Sequence, residues 1–481
     1  MEKPHAVMIP FPGSGHVNPM LQLAKILHFK GFHITFINTE FSYNIMLKSA
    51  GPDDLRGPND FRFETIPDGL SPSDDGASAE YSTKFRLSTE INRAAALREL
   101  LSELNTSSSL PITCIIFNWL MSFSLDVAQQ LDIPALVFCT MSACGFMGSL
   151  HLDELIQRGY IPLKDNSCIT NGYLDTGIDW IPGMKGIRLG DISSFVRTVN
   201  HDDMFLKLDM ETASKSLRAG GLILNTFDHM ECDVLRAMKQ MFPRMYTLGP
   251  LPAFLNQLTE NQRNPIRLSL WKEDSSCLEW LNTQRDSSVI YVNFGSLTVM
   301  TTQQLVEFAW GLAESKHPFL WIIRPDLVAG GLAALPEEFI IETKGRGHLA
   351  SWCSQEDVLS HPSIGGFLTH SGWNSTLESV CSGVPMICWP GFAEQYTNCR
   401  YACKEWGIGM EIEQEVKREQ VKGVVRGVME GERGKETRKN AMKWKEMAEQ
   451  ATKQGGSSYE NIERLAQDLN QFMPMRTEYI A

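Results

Sequence analysis

The chain has 481 residues, of which 43% are hydrophobic, 21% charged and 9% aromatic, and this composition excludes a disordered or collagen-like protein. Its length exceeds the roughly 250 to 300 residues at which one hydrophobic core stops growing, so we expect two domains with a cleft between them. The 57 acidic residues outnumber the 44 basic ones, and the formal net charge of -13 provides no long-range attraction to nucleic acid or anionic lipid.

The first twelve residues hold one short apolar run and lack the long hydrophobic region of a signal peptide. No stretch approaches the ~20 apolar residues that a membrane helix needs. The eleven cysteines form no Cys-x-x-Cys pair, and the closest couple, Cys399 and Cys403, has no neighbouring His or Cys in the sequence to complete a zinc site. We therefore expect a cytoplasmic protein without stable membrane insertion, whose thiols are reduced and mostly buried.

Short β-rich apolar runs recur along the first half of the chain, separated by segments of helical length. Each run is bounded by Gly, Pro or Asn. The alternation of strands and helices predicts a doubly wound α/β domain. The runs are Ala6–Pro10, His33–Asn38, Thr113–Ile116, Ala135–Phe138 and Gly221–Asn225.

A second series of such runs follows in the other half of the chain. Helix-length segments again separate its members, which predicts a second parallel sheet rather than an extension of the first. The sequence therefore predicts two similar α/β folds that face each other. The runs of the second series are Val289–Asn293, Phe319–Ile323, Leu349–Trp352, Gly366–Thr369 and Pro385–Trp389.

Composition also suggests where the domains begin and end. Residues 256–265 are polar, lack apolar periodicity and include a proline, so we predict a linker over 256–269 between domains at 1–255 and 270–455. The charged segment Lys417–Lys453 has apolar residues at helical spacing, which is typical of solvated helices. After a Gly-Gly-Ser-Ser break, residues 459–472 predict a last helix, within a segment 456–481 that we expect to pack back on the first domain.

The first strand runs into a glycine loop and then a helix. The loop begins with Gly13-Ser-Gly15, as a dinucleotide fingerprint does, but Asn18 stands at the third glycine position and His16 lies where a pyrophosphate would sit. An NAD-dependent oxidoreductase is therefore an alternative with little support. His16 follows a parallel strand at the edge where such folds bind ligands, and an imidazole there can take a proton from a hydroxyl. A single histidine is as often structural, so position alone leaves both interpretations open.

Two further junctions in the second domain have the same design. Tyr291–Thr298 passes from a strand into a glycine loop with Ser296 facing the cleft, and Thr301 with Gln304 predicts a capping box for the next helix. Thr369–Glu378 turns from a strand through a glycine into a helix, whose first amides can bind an anion.

Side chains around that turn strengthen the hypothesis of an anion site. His370 adds a ring donor, and Asn374 and Ser375 lie in the first turn of the helix. Glu378, four residues after Asn374, lies on the same helix face, where a carboxylate could accept bonds from ribose hydroxyls. Trp352 at a strand end could stack on a base. Taken singly, each of these residues is also compatible with a purely structural role.

Together these residues form a long motif. Residues 352–395 read WCSQEDVLSHPSIGGFLTHSGWNSTLESVCSGVPMICWPGFAEQ, which resembles the signature of plant secondary-product UDP-glycosyltransferases, the plant members of glycosyltransferase family 1. The resemblance extends over nearly the whole chain, through His5–Pro10, Phe61–Pro67, Ser142–Phe146 and Ile181–Met184. It is greatest to the subgroup that glucosylates small terpenoid alcohols, cyanohydrins and related aglycones.

The resemblance implies the GT-B fold, in which two Rossmann-like domains face each other across a cleft, and it implies roles for individual residues. Trp352 would stack on uracil, Cys353 and Gln355 would contact base and ribose, and Glu378 would bind ribose hydroxyls. The diphosphate would be held by Ser296, His370, Asn374 and Ser375, and the sugar would be contacted by Thr140, Trp373, Glu394 and Gln395.

The family's chemistry can be carried over in the same way. His16 would remove the acceptor's proton while its oxygen attacks the anomeric carbon from the face opposite UDP, so the product is a β-glucoside and no covalent intermediate forms. The closing Gln395 favours UDP-glucose as donor, and the absence of a convincing Asp-x-Asp motif agrees with catalysis without a metal or other cofactor. We expect a monomer that binds a UDP-sugar and a small-molecule acceptor.

One residue departs from the family's pattern. The strand at Thr113–Asn118 ends in Asn118, where relatives usually have an Asp that bonds the catalytic histidine. A neutral amide can orient an imidazole but cannot stabilise its charged form, and Asp126, eight positions on, is not expected to reach it. Three hypotheses follow: an active enzyme with a relaxed His16–Asn118 pair, a variant of low activity, and a protein that binds UDP-sugar without turnover.

Overall fold

Two parallel sheets, each covered by helices on both faces, form the part of the chain that the computed structural model describes. That part comprises residues 3–50, 57–70, 78–88, 90–107, 110–258, 273–324, 327–328 and 335–472. The two sheets confirm the predicted architecture of two Rossmann-like α/β folds. Within the described residues, no helix is long and apolar enough to cross a membrane.

The first sheet has seven strands in the order β3-β2-β1-β4-β5-β6-β7, and all of its neighbouring strands are parallel. The order reverses between β1 and β4, which makes that gap the switch point of the sheet. The strands are β1 His5–Ile9, β2 His33–Thr39, β3 Phe61–Ile66, β4 Cys114–Asn118, β5 Ala135–Cys139, β6 Leu222–Leu224 and β7 Met245–Thr247.

The second sheet has six strands in the order β10-β9-β8-β11-β12-β13, again with parallel neighbours. Its switch point lies between β8 and β11, so the two sheets repeat one topology. The strands are β8 Val289–Asn293, β9 Phe319–Ile322, β10 Gly347–Ala350, β11 Ile364–Thr369, β12 Met386–Cys388 and β13 Gly409–Glu411.

Helices connect the strands and cover the sheets. Those of the first half are α1 Ser14–Phe29, α2 Glu40–Ala50, α3 Ser78–Leu87, α4 Ile91–Ser107, α5 Phe123–Gln130, α6 Ala143–Leu150, α7 Leu152–Gln157, α8 Met204–Ser216, α9 Cys232–Met241 and α10 Leu251–Gln257. Those of the second half are α11 Ser276–Leu281, α12 Thr302–Ser315, α13 Glu337–Glu342, α14 Gln355–Ser360, α15 Trp373–Ser382, α16 Gln395–Arg400, α17 Arg418–Glu430, α18 Glu432–Thr452 and α19 Ser457–Gln471.

Alternate residues of each central strand enter different core layers. In β1, Val7 and Ile9 pack into one layer while Ala6 and Met8 pack into the other, and all four are fully buried. Burial on both faces explains why these strands are continuous apolar runs without alternation of polar residues. The sheets are therefore rigid, and the side chains that follow their carboxyl ends are held at fixed positions.

The last helix, α19, lies against the first sheet rather than the second. Ile462, Leu465 and Leu469 share a core layer with Met8 of β1. The Ser458 hydroxyl donates a hydrogen bond of 2.6 Å to the carbonyl of Gly249. The chain therefore returns to its first half after completing its second.

Sequence analysis missed some strands and misplaced the boundaries of others. The three-residue strands β7 and β13 were not predicted, because each contains a polar residue, whereas the equally short β6 and β12 are wholly apolar. Strand β3 was noted only as a family motif. Strand β10 ends at Ala350, two residues earlier than predicted, so Trp352 follows the strand instead of closing it. The capping box of Thr301 and Gln304 is confirmed. Of the predicted linker 256–269, residues 259–269 lie outside the described residues.

Candidate active site

The predicted site residues follow strands that flank the two switch points. His16 follows β1, and Asn118 is the last residue of β4. Ser296 follows β8, and His370 follows β11. The carboxyl edge at a switch point is where open α/β sheets bind ligands. The topology therefore brings these four side chains to the cleft between the two sheets.

His16 forms a small polar cluster with Thr140 and Asn118. Its Nδ1 lies 2.6 Å from the Thr140 hydroxyl, which also accepts a hydrogen bond of 3.0 Å from Nδ2 of Asn118. The distance between Asn118 Nδ2 and His16 Nδ1 is 3.4 Å. Thr140, which the sequence placed only against the sugar, is thus the nearest polar partner of the histidine in this structure.

The orientation of the Asn118 amide is fixed by the backbone. Asn118 caps a short helical turn at Trp119–Met121, where its Oδ1 accepts a hydrogen bond of 3.1 Å from the amide of Leu120. Its Nδ2 must therefore point at Thr140 and His16. Because Nδ2 is a donor, it cannot accept a proton from His16 Nδ1, whereas the Thr140 oxygen can. The Thr140 oxygen can therefore hold His16 in the tautomer with hydrogen on Nδ1 and a free lone pair on Nε2, which is the tautomer that a base acting through Nε2 requires.

Desolvation, reinforced by the charge of Arg86, lowers the pKa of His16 from 6.5 to about 3. The imidazole is therefore neutral at physiological pH. Its ring meets that of Phe11 edge to face at 5.1 Å. Asp126, which the sequence left out as a substitute carboxylate, pairs instead with Arg218 at 3.1 Å on the protein surface.

His370 is enclosed between two glycines. A Cβ atom on Gly372 would lie 2.4 Å from His370 Nε2, and one on Gly295 would lie 2.6 Å from the same ring. Gly295 also has a φ of 71°, which disfavours any other residue. Desolvation, with a contribution from the charge of Arg324, lowers the pKa of His370 to about 4. The ring is thus a neutral donor, held between backbone segments of two loops.

The turn after β11 leads directly into α15, whose first residues are those assigned to the diphosphate. Gly372 precedes the helix with extended backbone and no side-chain cap, so the first amides of α15 keep their donors. Ser375 accepts a hydrogen bond of 2.9 Å from Gln355 Nε2. Asn374 Oδ1 is buried and, within the described part of the chain, has no hydrogen-bond partner. The first amides of α15 and the hydroxyl hydrogen of Ser375 can donate to an anion, whereas Asn374 Oδ1 can only accept.

Two hydrogen bonds join this turn and the β8 loop to the start of α1 in the first domain. The Ser296 hydroxyl lies 2.6 Å from that of Ser14, and Asn374 Nδ2 donates to the carbonyl of Gly15 at 2.8 Å. The cleft is therefore closed at the diphosphate turn, next to His16. Ser14 was missed by sequence analysis, although its place in the glycine loop beside His16 was a usable signal.

Gln355 lies at the centre of the region predicted to bind base and ribose. Its Oε1 accepts from Asn293 at 2.8 Å, and its Nε2 donates to Glu378 at 2.6 Å. Desolvation and the charge of Glu356 raise the pKa of Glu378 to about 8. Helix α15 thus carries the Glu378 carboxyl group to the cleft, and the side-chain amide of Gln355 on α14 orients it.

Trp352 and Cys353 precede α14 on the same side of the cleft. Trp352 is half-buried against the core layer beneath it, and its carbonyl accepts from the Asp274 amide at 3.0 Å. The Cys353 side chain is buried, with its Sγ 3.4 Å from the hydroxyl of Tyr291. Any contact of Cys353 with a base would therefore come from its backbone, as the resemblance implies.

Of the residues predicted to contact the sugar, Trp373 differs from the expectation that its side chain faces the cleft. Its indole is 2% exposed, lies in the core, and donates from Nε1 to the carbonyl of Asn225 at 2.8 Å. Glu394 lies against α6, since a Cβ on Gly145 would be 2.7 Å from its Cβ. Desolvation raises the pKa of Glu394 to about 7. Gln395 Oε1 accepts from the amide of Gly391 at 2.9 Å.

A narrow cavity of about 10 Å³, enough for one water-sized molecule, lies in the first domain beside the rings of Phe11 and Phe85. Phe11 contacts His16, so the cavity adjoins the histidine. Arg86, which pairs with buried Asp209 at 3.2 Å, lines it, and sequence analysis missed this residue because a single cation on a charged helix carries no signal. The lining residues are Phe11, Phe85, Arg86, Glu90, Arg93, Leu120, Phe123, Leu208 and Thr212.

The chain matches the family model "UDP-glucoronosyl and UDP-glucosyl transferase" over residues 187–451. It is 54% identical over 472 residues to 7-deoxyloganetin glucosyltransferase of Gardenia jasminoides, covering 97% of this chain and 98% of that protein. It is also 54% identical over 467 residues to (R)-mandelonitrile beta-glucosyltransferase of Prunus dulcis, covering 96% of both chains.

Solved structures agree with these sequence matches. The crystal structure of Os79 from O. sativa in complex with UDP is 25% identical and superposes with a TM-score of 0.81, covering 96% of this chain and 100% of that one. The resemblance seen in the sequence and the GT-B fold are thereby confirmed. The chain is a UDP-glycosyltransferase and belongs to the UDP-glucuronosyl and UDP-glucosyl transferase family.

Proposed function

We propose that the chain transfers glucose from UDP-glucose, with inversion, to a hydroxyl of a small lipophilic plant metabolite. The observation that carries this proposal is the position of His16, whose Nδ1 is bonded to Thr140 and which lies next to the closed turn assigned to the diphosphate. A base, a donor site and an acceptor cavity thus adjoin one another.

The acceptor class is proposed from the relatives and from the lining of this cavity, which must widen to admit an acceptor. Aromatic and aliphatic side chains supply much of the cavity's lining, which suits an apolar scaffold. Buried Nε of Arg86 has no hydrogen-bond partner within the described residues, so it can donate to an oxygen of the acceptor. The named relatives use a terpenoid and a cyanohydrin, and we propose an acceptor of this kind.

In the proposed reaction His16 acts as general base through Nε2. Thr140 holds the hydrogen on Nδ1, which leaves the Nε2 lone pair for the acceptor's hydroxyl proton. The acceptor oxygen attacks the anomeric carbon as the bond to the diphosphate breaks, so the configuration inverts and no covalent intermediate forms. A base with a low pKa suffices because the proton moves only as the new bond forms.

The leaving diphosphate would be stabilised by neutral donors. The first amides of α15, with Asn374, Ser375 and Ser296 nearby, present hydrogen-bond donors and the positive end of the helix dipole. His370 contributes a neutral ring donor. These groups support our proposal that no metal ion or other cofactor is needed.

The sugar would lie between Thr140 of the first domain and Glu394 and Gln395 of the second. The backbone amides that bond Gln395 Oε1 fix its side chain, so its Nε2 is directed to donate. This supports UDP-glucose as the preferred donor.

We also propose domain limits at 1–255, 256–269, 270–455 and 456–481 and a monomeric state. We propose a cytoplasmic location as well, which the eleven free thiols favour.

The test is to incubate the full chain with UDP-glucose and a panel of terpenoid alcohols, cyanohydrins and phenols, and to measure product by mass. We expect one added hexose, β-configuration by NMR, and the same rate in EDTA. Loss of activity in EDTA that Mg²⁺ restores would contradict the metal-free reaction. A fluorescence titration with NADH serves as the control for the oxidoreductase alternative, and we expect no binding.

A further inference from the structure

Three cysteine side chains meet beneath the loop that carries Glu394. Cys388 ends β12, Cys399 lies on α16, and Cys403 lies in a turn of π-helix at Tyr401–Glu405 that continues α16. Their sulfur atoms all lie within 4.8 Å of one another. No third ligand neighbours Cys399 and Cys403 in the sequence, but the fold brings Cys388 to them, eleven residues before Cys399.

The spacing of the sulfurs is close to what a metal ion requires. A Zn–S bond is about 2.3 Å, so two sulfurs on one tetrahedral ion are about 3.8 Å apart. Three side chains within 4.8 Å reach that geometry by moving roughly 1 Å. Gly409 keeps the space open, since a Cβ there would lie 3.1 Å from Cys403 Sγ and 3.2 Å from Cys388 Sγ.

We propose that Cys388, Cys399 and Cys403 form a binding site for one thiophilic d¹⁰ cation of the Zn²⁺ and Cu⁺ type. Three sulfur ligands select such ions over Mg²⁺ or Ca²⁺, which prefer oxygen. Cys388 is fully buried and Cys399 is 1% exposed, while Cys403 is half-buried and provides the route of entry. The site adjoins the donor turn through Ser371 but shares no residue with the set predicted to bind the donor, and we expect transfer to proceed without the ion.

The surroundings favour a cation. Glu411 on β13 is the register partner of Cys388 on β12, so a carboxylate lies near the three sulfurs. The buried Ser371 hydroxyl lies beside Cys388, within reach of its sulfur. As each sulfur–metal bond forms, a thiol that is still protonated releases its proton to solvent, and no electron is transferred.

The site is connected to both domains through α16. Asn398, next to Cys399, donates to the carbonyl of Ser371 at 3.0 Å and accepts from the Ser142 hydroxyl of the first domain at 2.7 Å. An ion that joins Cys388 to Cys399 would therefore fix the end of β12 to the helix that contacts the diphosphate turn. Occupancy would restrain the loop between them, which carries Glu394.

The experiment uses the full chain, reduced and freed of metal by chelation. Titration with Cd²⁺ is followed by the thiolate-to-metal charge-transfer absorption, and Zn²⁺ is then added as competitor. We expect one ion per chain and a loss of affinity of about 100-fold in Cys399→Ser. The matched control, Cys232→Ser, changes an exposed cysteine outside the cluster and should bind as the wild type does.

A second measurement needs no variant. Alkylation of Cys403 in the wild-type chain, followed by peptide mass spectrometry, should slow at least tenfold when Zn²⁺ is bound, while alkylation of Cys232 stays unchanged. Equal Cd²⁺ absorption in wild type and Cys399→Ser, or equal alkylation of Cys403 with and without Zn²⁺, would overturn the proposal.

Discussion

Nδ1 of His16 lies 2.6 Å from the hydroxyl oxygen of Thr140, and that oxygen also accepts the amide hydrogen of Asn118. A hydroxyl oxygen has two lone pairs, so it can accept from both donors at once. Thr140 thus occupies the orienting position that the resemblance assigns to a carboxylate. Thr140 can accept the hydrogen on Nδ1 as a carboxylate would, but it carries no negative charge to stabilise the imidazolium.

Thr140→Val should lower kcat by about 10²-fold, because the imidazole loses the acceptor that holds hydrogen on Nδ1. Thr140→Ser keeps the hydroxyl and is the matched control, expected within about fivefold of wild type. Steady-state kinetics at saturating UDP-glucose separate this effect from any rise in the donor's KM. A rise in KM with unchanged kcat would show that Thr140 serves the sugar alone.

Asn118→Asp should raise kcat about tenfold, since a carboxylate beside His16 stabilises the imidazolium that forms during transfer. The same charge raises the pKa of His16 from about 3, so the acidic limb of kcat/KM should move to higher pH. Activity profiles of wild type and variant test both effects. An unchanged acidic limb would mean that the new carboxylate does not reach the ring.

His16→Ala should abolish transfer and leave the Kd of UDP within about twofold of the wild-type value, because the ring serves the acceptor rather than the nucleotide. Isothermal titration with UDP and a product assay are run on the same preparation. Loss of UDP binding together with activity would identify His16 as a structural residue of the closed cleft.

UDP-glucose should bind more tightly as the pH rises through about 8, the pKa of Glu378 in the free protein. Ionised Glu378 accepts ribose hydroxyls better than its protonated form, so binding favours loss of the proton. UDP-glucose is the appropriate probe because its diphosphate does not titrate there. Glu378→Gln should flatten the dependence of Kd on pH, and a slope that persists in this variant would assign it to another group.

Leu465→Ala should lower the free energy of unfolding by about 2 to 5 kcal/mol, because this fully buried side chain of α19 packs against the first sheet. Gln467→Ala, at an exposed position of the same helix, is the control and should change it by less than about 0.5 kcal/mol. Denaturant titration provides both values. Equal stability of the two variants would show that α19 docks only loosely.

The sequence predicted the two sheets and most of their strands because buried parallel strands are continuous apolar runs with clear boundaries. The strand Met245–Thr247 was missed because its three residues include a polar one and form no wholly apolar run. The residues from Trp352 to Gln395 were found through one long motif. The motif did not reveal how their side chains are oriented. Trp373 is an example, because its place in the motif is evident but only the packing shows that its indole lies in the core.

Contacts between residues far apart in the sequence were beyond prediction for the same reason. Nothing in the chain indicates that Thr140 bonds His16, or that Cys388 meets Cys399, because both contacts depend on which strand ends lie side by side. Arg86 was missed because a lone arginine on a polar helix has no distinguishing neighbours. The sequence identifies the chemical groups of these residues, but only the fold shows which of them are in contact.

The return of α19 to the first sheet places both ends of the described chain on one half of the molecule. Lys3 precedes β1, and Phe472 packs against the core layer that β1 shares with α19. A pair of fluorophores attached near these two positions would therefore stay at constant separation while the cleft opens. A reporter of opening needs one dye on the first half and the other on the second sheet or its helices, between Ser276 and Glu430.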